Sequence, residues 1–461
     1  MIAKAPLHTT HQPSAGGTGT EVVLNVGPVA HGGHCVARHE GRVIFVRHGI
    51  PGEKVRVRLT DAEEKAKFWR ADVVEVLAAS PDRVDHFWHA ADSLRAWGHG
   101  HPPVGGAEFG HMTLARQRSL KAEVLAEQLT RLAGVGQLPD GAGPSVEAVG
   151  GQDDGGNGLG WRTRASFSVT PGGKLGMHAH RSTHIVPVRE MPLAVDAINA
   201  LRLWDLDLQG IDRVEVAAPA NGSRSLVLLA PGPGTKPKRL NAVAAQLPGE
   251  VSVATFDPAT EAVTQVRGRT WVQETAAGHD YRVTGAGFWQ IHRDAPGALV
   301  GGVTEFLQDG GFLHPGAVVA DLYAGAGLFT AVLADAVGET GSVLSVEGAP
   351  GTSRDARKNL HAAPQVEIVQ GRVERVLRQK PRNFDALVLD PPRAGAGKAV
   401  VGQLVEAQPR AIAYVSCDPA SFARDVGYFR QAGWDLSGLR AFDLYPHTHH
   451  LETVALLTPR A

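Results

Sequence analysis

The stretch VVADLYAGAGLFTAVLADAV, residues 318–337, joins an apolar strand-like run to a glycine-rich turn and then to an apolar helical run. Strand, loop and helix in that order is the unit of a parallel sheet wrapped by helices. The pattern continues downstream. SVLSVEG (342–348), VEIVQG (366–371), FDALVLDPP (384–392), AIAYVSCDP (411–419), LSGLRAFDLY (436–445) and ETVALL (452–457) read as further strands, with APGTSRDARKNLHA (349–362) as a helix between early ones. In such sheets ligands bind at the carboxyl ends of the strands. The residues that close each strand are therefore the ones to examine.

Asp321 ends the first strand and leads into Gly325 and Gly327, which let the backbone turn tightly and approach a ligand. G-x-G alone also fits a plain strand-to-helix turn. Thr330 stands where a dinucleotide fingerprint has its third glycine, which argues against NAD. Glu347 closes the second strand, 26 residues after Asp321. A carboxylate at about that distance accepts hydrogen bonds from ribose hydroxyls, so a nucleoside ligand fits. Asp390 ends the fourth strand and is followed by Pro391-Pro392-Arg393. Cys417 ends the fifth. A lone cysteine is more often a small core hydrophobe than a nucleophile, but this one shares a rim with three carboxylates. Glu452 precedes the last strand; if that strand runs antiparallel, its start reaches the same rim.

Upstream of the sheet the chain changes character. Residues 21–80 alternate β-rich runs (EVVLNVG, GRVIFVRH, EKVRVRLT, WRADVVEVL) with Gly and Pro turns, the spacing of a small β-barrel. Between Arg38 and Arg70 nine Lys or Arg face five Asp or Glu. Arg56 and Arg58 fall on one strand face, which fits either a solvated surface or a nucleic-acid contact. Residues 110–134 have helical spacing and end on Gly134. LPDGAGPSVEAVGGQDDGGNGLG (138–160) reads as a boundary or loop. Strand-like runs RASFSVTP, RVEVAAP, SLVLLAP and VSVATF follow, interrupted by PGPGTKP.

Composition fits a soluble multidomain protein: 461 residues, 43% hydrophobic and 20% charged, with net charge −1. Any nucleic-acid contact must come from a local patch. No apolar run approaches a membrane span, and the first twenty residues read as a polar tail without a signal-peptide core. A cytoplasmic monomer without membrane attachment is expected. Two distant cysteines, Cys35 and Cys417, provide neither a disulfide framework nor a multi-cysteine metal site.

The motifs DLYAGAGLFT, SVEGAP, VLDPPR, YVSCDP and PHTHHLETVALL, in that order, resemble the RNA uracil-5-methyltransferases. GFWQIHRDAP (287–296) extends the likeness, so that it spans residues 284–458. Residues 21–80 resemble that family's RNA-binding TRAM module, an OB-like barrel. WRTRASFSV and HRSTHIVPVREMPL are similar to its central domain. The resemblance implies a multidomain α/β protein: a tail (1–20), a TRAM-like barrel (21–80), a central α+β domain (81–283) and a Rossmann-like class I methyltransferase domain (284–461). It implies S-adenosylmethionine as cofactor, held by Gln290, Tyr323, Glu347 and Asp390. It also implies Cys417 as nucleophile, Glu452 as proton acceptor, and ribosomal or transfer RNA as partner and substrate. Three departures stand out. GHGHPPVGGAEFGHM (98–112) lacks the cysteines that hold an iron–sulphur centre in some members, so no cluster is expected; Ala324 replaces a frequent cysteine; and Asp418 replaces the usual asparagine, where it would alter reading of the uracil edge. A methyltransferase of another substrate, or an RNA-binding protein without turnover, are the competing readings.

Overall fold

The computed structural model describes residues 17–152, 155–379 and 383–460. Most of the polar tail expected for residues 1–20 lies outside them. At its end Gly19 already donates its N–H to the Leu59 carbonyl, extending a strand pairing.

The carboxyl-terminal part is built on β1 (Val318–Leu322), β2 (Ser342–Glu347), β3 (Val366–Gln370), β4 (Ala386–Leu389), β5 (Ala411–Ser416), β6 (Trp434–Asp443) and β7 (Glu452–Pro459). Their order across the sheet is β3-β2-β1-β4-β5-β7-β6, with the short strand Glu147–Ala148 added at the β6 edge. β1 to β5 pair in parallel, while β7 runs antiparallel to both β5 and β6. The period-two alternation of each strand separates two cores. Val319, Val343, Val388, Ala413 and Val415 enter one; Ala320, Leu344, Leu389, Ile412 and Tyr414 enter the other. Burial on both faces explains why β4 and β5 are continuous apolar runs rather than alternating ones. The strand order reverses at β1 and β4, and a crevice opens at their carboxyl ends.

Five strands near the amino terminus form a curled half-barrel, in the order Glu21–Asn25, Lys54–Asp61, Phe68–Ala78, Arg42–Arg47, Cys35–His39. The first and last of these share no strand ladder, but Gly27 and Pro28, just beyond the first, exchange backbone bonds with Val36 of the last. Strand Cys35–His39 had no sequence signal, because CVARH lacks an alternating run long enough to stand out. Arg56 and Arg58 share the outer face, but each is spoken for: Arg56 pairs with Glu75 at 2.8 Å and Arg58 with Glu21 at 2.7 Å. Arg47 is bonded to Asp72, Arg70 to Asp61, and Arg42 to the Glu64 and Ala66 carbonyls. Arg38, Lys54, Lys65 and Lys67 remain exposed, without an ion pair among the described residues.

A seven-stranded sheet occupies the middle of the chain, its edges at Val263–Arg267 and Ile185–Pro187. The boundary expected between residues 283 and 284 cuts through a hairpin, Trp271–Ala276 with His279–Thr284, whose Val272, Tyr281 and Val283 pack into the core of the carboxyl-terminal sheet. Helix Leu114–Gln128 likewise lies against the carboxyl-terminal sheet, placing Leu125 in one cluster with Tyr414 and Phe422. Segments inside 81–283 thus dock onto the carboxyl-terminal sheet, which local periodicity does not record. Among the described residues no helix is long and apolar enough to cross a membrane.

Candidate active site

The turn after β1 is held by bonds that need its particular residues. Tyr323 adopts a left-handed backbone (φ 66°), uncommon for a residue with a Cβ and typical of a constrained site. Gly327 (φ 96°) starts helix Leu328–Val337, and a Cβ there would come within 2.9 Å of Leu360. Thr330, in the place of a third glycine, donates its hydroxyl to Asp321 at 2.5 Å and lies 3.0 Å from the Ser345 hydroxyl. Glu347 accepts from the Gly325 N–H at 2.8 Å and, through its other oxygen, from the Ala349 N–H at 2.6 Å. A carboxylate has about four acceptor positions, so two remain for a ligand.

At the other end of the crevice, strand register brings the catalytic candidates together. Ser416 of β5 pairs with Thr453 of β7, so Cys417 and Glu452, one residue outward on each antiparallel strand, stand side by side. Burial pushes the half-buried Cys417 thiol up to about 12, reinforced by the charges of Glu452, Asp390 and Asp418 and opposed by Arg393. Burial, then the Asp390 charge, raises Glu452 to about 8, while a 2.8 Å bond from the Tyr445 hydroxyl works the other way. Asp390 is raised to about 7, first by burial and then by Asp321. The Gln290 amide lies 3.5 Å from the Asp390 carboxylate.

Gln290, Tyr323, Glu347, Asp390, Cys417 and Glu452 all line one cavity of about 1390 Å³. Three further residues on its wall were assigned no role from the sequence. Phe288 is 62% exposed at the mouth, an unusual position for a large apolar ring. Tyr445 bonds Glu452 from within LYPHTHH, and Arg393 contacts the His450 ring at 2.7 Å. Phe288 lies within GFWQIHRDAP, Arg393 within VLDPPR, and Tyr445 directly before PHTHHLETVALL. A smaller cavity of about 540 Å³ shares Cys417, Arg393 and His450 with the first and opens toward the half-barrel.

The large cavity suits a nucleoside-bearing methyl donor: a carboxylate with free acceptor positions, a glycine turn, and the buried Asp390 and Asp321 behind it. Asp321 Oδ1 has no partner among the described residues. The site also sets side by side a thiol and a carboxyl whose ionisation burial makes harder. Among the described residues no three His, Cys, Asp or Glu side chains cluster as metal ligands. Cys35 is buried in the half-barrel, its thiol 3.4 Å from the Gly49 carbonyl. Two separated cysteines cannot supply the usual four thiolates of a cluster. Protein purified anaerobically is expected to be colourless, and stoichiometric iron and sulphide on analysis would refute this.

Comparison with known proteins gives the same direction. The sequence model described as tRNA (Uracil-5-)-methyltransferase matches residues 372–460, which contain Asp390, Cys417 and Glu452, and the TRAM domain model matches residues 18–74. A protein of Streptomyces avermitilis described as an uncharacterized RNA methyltransferase is 43% identical over 96% of this chain and 99% of its own. The 23S rRNA (uracil(1939)-C(5))-methyltransferase RlmD of Shewanella denitrificans is 28% identical, covering 94% of this chain and 95% of its own. The crystal structure of Pyrococcus abyssi tRNA (uracil-54, C5)-methyltransferase in complex with S-adenosyl-L-homocysteine superposes with a TM-score of 0.66. It covers 94% of this chain and 99% of its own at 20% identity, a likeness of fold. The near full-length relatives, the two matched models and the crevice at the β1–β4 reversal agree: this chain belongs to the RNA uracil-5-methyltransferase family and is an S-adenosylmethionine-dependent enzyme.

Proposed function

We propose that the protein methylates carbon-5 of a uridine in structured RNA through a covalent bond from Cys417. The observation that supports this best is the pairing of β5 with β7, which sets a thiol beside a buried carboxyl in the cavity that contains Glu347 and Asp390. Gln290, Tyr323, Glu347 and Asp390 would hold S-adenosylmethionine, which supplies an electrophilic methyl group to carbon-5.

Carbon-5 of uracil is too weak a nucleophile to react unaided. Addition of the Cys417 sulphur to carbon-6 makes the ring an enolate with electron density at carbon-5. The thiol proton leaves as the carbon–sulphur bond forms. Once carbon-5 carries the new methyl group, Glu452 takes its remaining proton. The electron pair of that C–H bond restores the double bond and expels the Cys417 sulphur. Tyr445, whose hydroxyl ionises only well above 10 because it is buried and faces Glu452, stays a donor and orients the carboxylate. Phe288 offers the base a ring to stack on at the entrance. A base inside a helix cannot reach Cys417, so the target uridine must lie in a loop or be flipped out. Among RNAs we favour ribosomal RNA, because the rRNA enzyme of Shewanella is more similar to this chain than the tRNA enzyme of Pyrococcus.

RNA carrying 5-fluorouridine tests this chemistry. Fluorine cannot leave as a proton, so enzyme and RNA should stay joined after methylation, as a band of reduced mobility on a denaturing gel. Failure to form any adduct at stoichiometric enzyme would contradict the covalent route.

The half-barrel should contribute grip rather than chemistry. Replacing Arg38, Lys54, Lys65 and Lys67 together by glutamine should weaken RNA binding and flatten its dependence on salt. The slope falls by roughly 0.7 to 0.9 for each lost phosphate contact. S-adenosylmethionine affinity should not change. An unaltered salt slope would move the RNA contact to another surface.

A further inference from the structure

Asp418 does not face the cofactor cavity. One carboxylate oxygen caps helix Pro419–Gln431 by accepting the Ser421 N–H at 2.8 Å. The other lies 3.0 Å from His31 Nε2, in the loop between half-barrel strands Glu21–Asn25 and Cys35–His39. Each oxygen thus already has one partner, which makes this side chain a link between two distant parts of the chain. The loop is seated with little tolerance. At Gly33 (φ 77°) a Cβ would come within 2.4 Å of the His449 Cβ, so only glycine allows the loop to lie this close to the catalytic segment.

We propose that His31, carried by the half-barrel, is a positioning residue of the catalytic site: as an imidazolium paired with Asp418 it cancels the negative charge beside Cys417 and eases loss of the thiol proton. The groups facing Cys417 are Glu452, Asp390 and Asp418, which oppose ionisation, and Arg393, which favours it. Those facing His31 are Asp418 and Glu127, which favour its charged form, and Arg393, which opposes it. The bond to Asp418 is the largest influence and raises His31 above its ordinary value despite partial burial. For Asp418 burial acts upward, yet the His31 bond and the Ser421 amide hold it down at about 2. Below the elevated His31 value the pair is thus charged on both sides. As pH rises through the elevated His31 value the imidazole becomes neutral and the shielding is lost.

The inference rests on Cys417 as nucleophile. Its test reads alkylation of the free, full-length enzyme without RNA or turnover, so its failure is distinct from failure of the methylation chemistry. Iodoacetamide labelling of the Cys417 peptide is followed by mass spectrometry from pH 6 to 10. H31Q should slow labelling by up to about tenfold near pH 6, one pKa unit of lost shielding. The difference should vanish toward pH 10, where wild-type His31 is neutral as well. H31R keeps the charge and should label at the fast rate throughout. In a D418N background, H31Q should change the rate less than twofold. Equal slowing by H31Q with and without D418N, a constant offset across all pH values, or failure of H31R to restore the rate would each overturn the proposal.

Discussion

Glu452→Gln should accumulate a methylated enzyme–RNA adduct, whereas Cys417→Ala should form no adduct and no product. The first substitution keeps the sulphur and the cofactor cavity and removes the group that accepts the carbon-5 proton. Addition and methylation then proceed while elimination stalls, with turnover falling by about 10²- to 10⁴-fold, the usual worth of a positioned base. The adduct should carry label from the cofactor methyl and disappear with ribonuclease. pH adds a second signature. Glu452 acts as a carboxylate, and burial places its ionisation at about 8, so elimination should accelerate as pH rises through that region. The residual activity of Glu452→Gln should lack this limb. A variant at Glu452 that loses activity without trapping RNA would make the residue structural. Labelled adduct from Cys417→Ala would remove the thiol from the mechanism.

Glu347→Ala is the second large effect, and it should fall on the cofactor rather than on RNA. The carboxylate fixes the Gly325 and Ala349 amides while leaving acceptor positions toward the cavity. Its removal leaves ribose hydroxyls and two backbone donors without partners, a loss of about 1 to 3 kcal/mol. The dissociation constant for S-adenosylhomocysteine, measured by calorimetry, should rise about 10- to 100-fold. RNA affinity should be unaltered. Unchanged cofactor binding would show that Glu347 serves only to shape the glycine turn.

Much of the carboxyl-terminal sheet was legible because each strand is bounded by turn residues and buried on both faces, which makes short continuous apolar runs. The strand order and the antiparallel sense of β7 follow from packing, yet the rim position of Glu452 was foreseen once that sense was allowed. What escaped is docking between distant segments. Helix Leu114–Gln128 and hairpin Trp271–Thr284 have ordinary local patterns, and nothing in them names the core they join. Tyr445 and Phe288 were silent for a related reason: one acts through a single bond to Glu452, the other through exposure, and neither has a period. Arg56 and Arg58 show what strand alternation alone leaves open. Their shared strand face fits either a solvated surface or a nucleic-acid contact, and the neighbouring Glu75 and Glu21 pair with both.

The central claim is uridine carbon-5 methylation through Cys417, and nucleoside mass spectrometry of RNA tests it most directly. RNA lacking the modification is incubated with the enzyme and S-adenosylmethionine deuterated in the methyl group, then digested to nucleosides. A single deuterated product, 5-methyluridine, absent when Cys417→Ala replaces the wild type, is the predicted result. Deuterium in any other nucleoside, or 5-methyluridine formed equally well by Cys417→Ala, would contradict it.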